Sequence, residues 1–156
     1  MTVEQNISLP LEYHSNLNNE EVKKIVDGLI YELNLDACKK LRPVDLTSSE
    51  ILKTAYARSI ALGPKLLLLE YAFESQVPLN IQSFVWSLKR RIANPENSTI
   101  FVTFEPEKFI DFGQRFIMMY NGKIVFDGTP DEFSTTNNEY VKQFTEVTIE
   151  GPMVIL

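Results

Sequence analysis

The chain has 156 residues, 44% of them hydrophobic and 23% charged, a composition that predicts one ordinary globular domain over 1–156 and excludes low-complexity and repeat architectures. Its 15 Lys and Arg stand against 21 Asp and Glu, a formal net charge of -6, so nucleic acid and anionic membrane surfaces are excluded as main partners. The single cysteine, Cys38, leaves no intrachain disulfide and predicts a cytoplasmic setting, while the longest aliphatic run, Leu66 to Leu69, is too short to insert in a membrane.

Residues 1–17 read as a loosely structured entry, because Pro10 and scattered polar residues interrupt any period. From Asn19 the pattern sharpens. Val22, Ile25, Val26, Leu29, Ile30 and Leu33 fall at helical spacing behind an Asn18 or Asn19 cap, with Glu20 and Glu21 in the first turn. A second helix is expected from Thr47 to about Leu62, with Thr47 and Glu50 forming a capping box and Gly63-Pro64 the stop. Together 1–62 should form a mainly helical subdomain.

Leu66 to Glu70 is a continuous apolar run of strand length, of the kind buried on both faces of a parallel sheet. A helix after Pro78 carries Ile81, Val85, Leu88 and Ile92 and ends near Asn94-Pro95, and "TIFVTF" from Thr99 to Phe104 follows as a second strand. Strand, helix, strand is the crossover unit of an α/β sheet. Lys89, Arg90 and Arg91 read as the solvated last turn of the intervening helix, where cations offset the helix dipole. Beyond it, "RFIMMYNGKIVFDG" is two β runs joined by Asn121-Gly122, a hairpin expected over 115–127. Short helices follow Pro130 and occupy Asn138 to Phe144. The α/β core is thus expected over 63–145, and 146–156 is an apolar tail or a docking segment.

With "LTSSE…AYARSIALGPKLLLLEYAFES", "IFVTFEPE" and "FIMMYNGKIVFDGTPDEF" in this order, the sequence resembles the nucleotide-binding subunit of ATP-binding-cassette (ABC) transporters, from about residue 2 to residue 145. The segment "VKQF…EGP" is most like the subunits that energise lipid traffic between bacterial membranes. The resemblance implies an α/β fold: a partial P-loop NTPase core with a helical subdomain and a C-terminal hairpin, lacking the phosphate-loop half. No Gly-x-x-x-x-Gly-Lys-Ser/Thr occurs in the chain, and its one Gly-Lys pair, Gly122-Lys123, belongs to the hairpin.

Under that resemblance the family's signature, Leu-Ser-Gly-Gly-Gln, maps onto Leu46, Thr47, Ser48, Ser49 and Glu50. Its glycines let bare backbone approach a phosphate, and here they are replaced by Ser48 and Ser49, with Glu50 adding negative charge. Thr47, Ser48, Ser49 and Glu50 are therefore a vestigial cofactor-binding signature, and Glu50 suits an unoccupied helix start better. The magnesium-position acid corresponds to Glu70, a vestigial metal position. The catalytic glutamate corresponds to Tyr71, whose phenol is a poor base near neutral pH. Ala72 replaces the next proline, Val77 an aspartate, and Phe104 the switch histidine.

The resemblance with these replacements implies an ATPase-inactive, degenerate transport subunit with no catalytic residues and no cofactor, acting as an interaction component. Its expected partners are a membrane permease or an active ATPase subunit, and its place the cytoplasm, at the inner membrane face through a partner. The alternative is an ATP-binding transport subunit whose phosphate loop comes from another chain, with ATP and magnesium in a composite site. A carboxylate cluster of Glu70, Glu74 and Glu105 lacks a second ligand type, and the lone His14 reads as a surface residue with nothing to orient it toward Cys38. Without flanking strands the Leu66 to Leu69 strand would be open, which predicts homodimerisation, edge pairing with another subunit, or cover by the N-terminal segment.

Overall fold

The computed structural model describes residues 1–73 and 76–154, and they form two compact units, Met1–Phe104 and Glu105–Leu156. The first unit begins with a helix, α1 (Val3–His14), where the sequence pattern predicted loose chain. Three apolar residues four apart, Val3, Ile7 and Leu11, form one buried stripe, and Thr2 and Gln5 close a capping box ahead of it. Pro10 sits inside this helix, removing one backbone donor, but the buried stripe and a pinned start outweigh that loss. Val3 N donates to Leu41 O at 3.0 Å and Glu4 N to Lys39 O at 3.1 Å, which fixes α1 against the loop leading to the third helix.

The helix α2 (Asn19–Glu32) buries Val22, Val26 and Ile30 behind the Asn18 cap, and α3 (Ser48–Ile60) starts from the Thr47–Glu50 box as the spacing predicts. Gly63 supplies the left-handed turn after α3, at φ +63°, and its N–H caps Ile60 O at 2.8 Å. Helix α1 packs on both α2 and α3.

After α3 comes the crossover: β1 (Leu66–Glu70), α4 (Gln82–Ile92) and β2 (Ser98–Val102), with β1 and β2 parallel and Leu68 paired to Ile100. Below this ladder lies an aromatic row. Tyr56 of α3 meets Phe84 of α4 edge-on at 4.8 Å, Phe84 meets Phe73 at 5.4 Å, and Phe73 reaches Phe101 of β2 at 6.3 Å. Tyr56 OH and Ser87 Oγ lie 3.2 Å apart, Ser83 Oγ donates to Leu33 O at 3.0 Å, and Arg90 pairs with Glu32 at 2.5 Å, so α4 is tied to α2 and α3. The basic run is thus partly engaged: Arg91 also donates to Pro64 O.

The upper face of the ladder is bare. Period-two alternation puts Leu66, Leu68, Ile100 and Val102 on one side, and they are 58%, 63%, 51% and 41% exposed. The prediction that the strand would be buried on both faces therefore fails on this side, as does the option that the N-terminal segment covers it, because α1 is spent on α2 and α3.

The second unit is the predicted hairpin, β3 (Phe116–Tyr120) and β4 (Lys123–Gly128), turning at Asn121 (φ +47°) and Gly122 (φ +74°). Phe116 and Phe126 pack on Phe133 of α5 (Pro130–Thr135). The tail is docked where it is described. Gln143 of α6 (Glu139–Thr145), itself buried, accepts from Met153 N at 2.7 Å and donates to Met153 O at 2.9 Å, and Val154 N donates to Tyr120 OH at 2.8 Å.

Candidate functional site

The start of α3 carries the residues of the expected signature. Thr47 N and Thr47 Oγ1 both donate to Glu50 Oε2, at 2.8 and 2.7 Å, and Thr47 Oγ1 lies 3.3 Å from Ser49 Oγ. Those bonds, chiefly the one from the Thr47 backbone, hold the Glu50 carboxyl below the usual carboxylate range. Ser49 is buried and Ser48 exposed. A carboxylate occupies the positive end of the helix, so an anion arriving there would meet like charge.

Behind the cap sits a group that spacing did not single out. Cys38 and Lys53 are both buried beside Glu50. Burial, reinforced by the neighbouring carboxylate, pushes the Cys38 thiol up, and burial pushes the Lys53 ammonium down against the pull of Glu50. A thiol shifted in this direction is a poor nucleophile. His14 lies exposed in the last turn of α1. Lys53 could have been found in the sequence only as the polar residue three places after Glu50, a spacing that solvated helices share.

The C-terminal ends of β1 and β2 bring together the two positions at which the resemblance places the catalytic glutamate and the switch histidine. Tyr71 and Phe104 stack there, ring centroids 5.1 Å apart and planes 21° from parallel. Tyr71 adopts φ +52°, an uncommon conformation for a ring-bearing residue, while its N–H extends the ladder to Val102 O at 2.9 Å. Both rings are exposed. The sequence named the two residues singly; their mutual contact follows from the parallel register, which puts Glu70 opposite Val102.

Glu70 is exposed at the end of β1, and Glu105 pairs with Lys108 at 2.5 Å. Glu74 lies outside the described residues. Among the described residues, no group of three or more His, Cys, Asp or Glu side chains could hold a metal ion.

Two recesses flank α3. One of about 380 Å³ is lined by Leu46, Ile51, Thr54 and Ala55 among others, and one of about 430 Å³ by Leu9, Tyr13 and His14; Arg58 borders both.

No protein-family model matches the chain. Among curated proteins it is 27% identical to the sulfate/thiosulfate import ATP-binding protein CysA 1 of Agrobacterium fabrum, over 99% of this chain and 46% of that protein. It is 28% identical to the glycine betaine/proline betaine transport system ATP-binding protein ProV of Salmonella typhimurium, over 92% of this chain and 36% of that protein. The intermembrane phospholipid transport system ATP-binding protein MlaF of Haemophilus influenzae gives 25% over 95% of this chain and 56% of that protein.

The chain is related to the ATP-binding subunits of ABC transporters.

It spans about half the length of these relatives, or less. The mixed α/β crossover, the helical layer and the hairpin are compatible with part of the ABC ATPase fold. No described helix is long and apolar enough to cross a membrane.

Proposed function

We propose that this chain is an ATPase-inactive subunit, or part of one, that serves an ABC-type transport complex by binding other subunits. The observation that carries this reading is the Tyr71–Phe104 stack at the strand ends. By resemblance, a base and a phosphate-sensing histidine belong at these two places. A phenol is a poor base near neutral pH where a carboxylate would take the proton, and a phenyl ring has no N–H or O–H to donate to phosphate where the histidine would.

The start of α3 supports the same reading. Side chains on Ser48 and Ser49 stand where bare backbone would approach phosphate, and Glu50 holds the helix end with its own charge. The described residues Thr47, Ser48, Ser49, Glu50 and Glu70 do not fit ATP and magnesium, and no step is routed through either.

Docking falls to the helical layer of 1–62. The recesses beside Arg58 offer apolar walls and one cation, suited to an apolar permease segment bearing a carboxylate. The relatives' names span sulfate, betaine and phospholipid systems. Their common segment therefore points to a shared subunit role rather than to cargo, and a lipid-transport setting rests on the likeness to MlaF alone. On this reading the chain works at the cytoplasmic face through a partner.

A second reading, a composite site whose phosphate loop comes from elsewhere, is favoured by the relatives' ATP-binding names and by the open β1–β2 ladder. The test is affinity purification of the tagged protein from its native membranes, with identification of bound chains and an ATP hydrolysis assay on the eluate and on the isolated chain. The docking reading expects a permease or ATPase subunit in the eluate, lost with Arg58→Glu, and no hydrolysis by the isolated chain. Eluate hydrolysis that disappears on Ser48→Tyr or Glu70→Gln would replace it with the composite site.

A further inference from the structure

The hairpin turn carries the one Asn-Gly pair of the chain, Asn121-Gly122. Its loop lies between Tyr120 and Lys123, which pair across the ladder. Both loop residues have positive φ, +47° and +74°, the combination that defines a type I′ turn.

A hairpin loop of this length has one other favoured form, type II′, reached by turning over the peptide between residues 121 and 122. Residue 121 then keeps its positive φ while its ψ moves from about +30° to about −120°. Glycine at 122 follows without strain, although its φ changes sign. At a ψ of about −120° the next backbone nitrogen of an L-residue eclipses Cβ, which brings the Gly122 nitrogen toward Asn121 Cγ. Type II′ is therefore both an ordinary state of this turn and the geometry in which the Asn121 carboxamide is open to attack by its own neighbour.

Nothing restrains the two groups. Among the described residues, neither the Asn121 carboxamide nor the Gly122 N–H has a hydrogen-bond partner, both residues are exposed, and a Cβ at Gly122 would meet no atom within 4 Å. Other asparagines are held at the attacking nitrogen. Leu35 N, after Asn34, donates to Ile30 O at 2.9 Å; Ser98 N, after Asn97, to Lys65 O at 2.7 Å; and Asn138 N, after Asn137, to Thr136 Oγ1 at 3.1 Å. Pro95, after Asn94, has no N–H at all. The nearby Asp127-Gly128 pair lies in β4 with its carboxylate bound by Arg115 at 2.7 and 2.6 Å.

We propose that Asn121 is a self-modification site, converted in the folded hairpin to aspartate and isoaspartate by the Gly122 nitrogen, with water as the only co-reactant. The Gly122 nitrogen gives its proton to a solvent base and forms a bond to Asn121 Cγ; the Cγ–Nδ2 bond breaks, and ammonia leaves with a proton from solvent. Water then adds to one of the two carbonyls of the resulting succinimide and breaks that carbonyl's bond to the ring nitrogen, which regains a proton. Opening at Cγ leaves aspartate, and opening at the main-chain carbonyl leaves isoaspartate. Nothing is oxidised or reduced.

Either product adds a negative charge to the turn, and isoaspartate also lengthens the main chain by one methylene beside Tyr120. Tyr120 fastens the tail: its OH accepts from Val154 N at 2.8 Å, and its ring lies 5.7 Å from that of Tyr140. Isoaspartate at the turn shifts Tyr120 and loosens the tail at Met153 and Val154. The site is independent of the docking reading and of any nucleotide.

The test is incubation of the full chain at physiological temperature over a series of pH values, with peptide mapping by mass spectrometry that separates aspartate from isoaspartate. Asn121 should convert before every other asparagine, at a rate that rises with pH as more solvent base is present. Asn121→Gly, whose Gly-Gly loop still suits the turn, should lose conversion there while keeping the hairpin. In the isoaspartate fraction, hydrogen exchange at the Met153 and Val154 amides should be faster. Conversion at Asn121 no faster than at Asn34, Asn97 or Asn137, or slower in the folded chain than in the urea-unfolded one, would overturn the site. Unchanged exchange at Met153 and Val154 would overturn its coupling to the tail.

Discussion

The helical layer and the β1–β2 ladder use the same aliphatic vocabulary and finish it differently. Ile7, Ile30 and Tyr56 vanish between α1, α2 and α3, whereas Leu66 and Leu68 stand in solvent on a strand just as apolar. A helix needs one buried stripe, and its neighbours in sequence supply the cover. A parallel strand presents two apolar faces, and α4 lies on only one of them. The ladder's second face is therefore without cover among the described residues.

The sharpest way to break that contrast is to truncate one residue on each side of the ladder. Phe84→Ala, which removes the centre of the aromatic row, should destabilise the chain by about 3–5 kcal/mol in denaturant unfolding. Leu68→Ala in the dilute chain should change stability by no more than about 0.5 kcal/mol. Equal losses at the two positions would mean that the upper face is covered in the single chain.

A second comparison sets the strand ends against the start of α3. Restoring the residues of the resemblance, Tyr71→Glu with Phe104→His, should dissolve the stack and still give no ATP hydrolysis above background in the isolated chain, since no phosphate-binding loop stands among its residues. Turnover by that double variant would overturn the proposed inactivity and make the two strand-end rings its only determinant. At the helix start, Thr47→Ala should lower stability by about 1 kcal/mol, read from thermal or denaturant unfolding, because the Thr47 Oγ1 bond to Glu50 Oε2 and the N-cap acceptor for Glu50 N go together while the backbone Thr47 N–H bond remains.

The smallest effect is on pH. The folded pKa of Glu50 is depressed, so its contribution is present above the unfolded carboxyl pKa of about 4.3 and is lost as pH falls through the lower folded value. Glu132, held down by the Thr129 backbone in the same motif, acts in the same direction. Thr47→Ala removes only the side-chain part of this depression and should flatten the acid limb slightly, and Glu50→Gln more; an unchanged slope in Glu50→Gln would show that the Glu50 bonds do not persist in solution.

Much of this architecture was legible in the residues. Thr47 with Glu50, Gly63 and Asn121-Gly122 are local signals whose partners lie within a few positions, so the α3 start, its stop and the hairpin turn came out as spacing predicts. The helix over Val3–His14 did not. Its stripe of three residues was masked by Pro10, and its stability comes from α2, α3 and the Lys39–Leu41 backbone, which no window of the sequence contains. The same holds for the Cys38–Glu50–Lys53 group, in which Cys38, from the chain between α2 and α3, meets two residues of α3.

By itself, then, the sequence determined the local elements, the kinship with ABC ATP-binding subunits, and which residues stand at Tyr71, Phe104 and the Thr47–Glu50 cap. Those depend on covalent neighbours and on residue identity. Only the tertiary structure decided that Tyr71 and Phe104 touch, that the N-terminal segment is spent on the helical layer, and that one face of the ladder remains open. Contacts between distant residues are set by register and packing, and burial is a property of what surrounds a side chain, so neither can be read from the side chain alone.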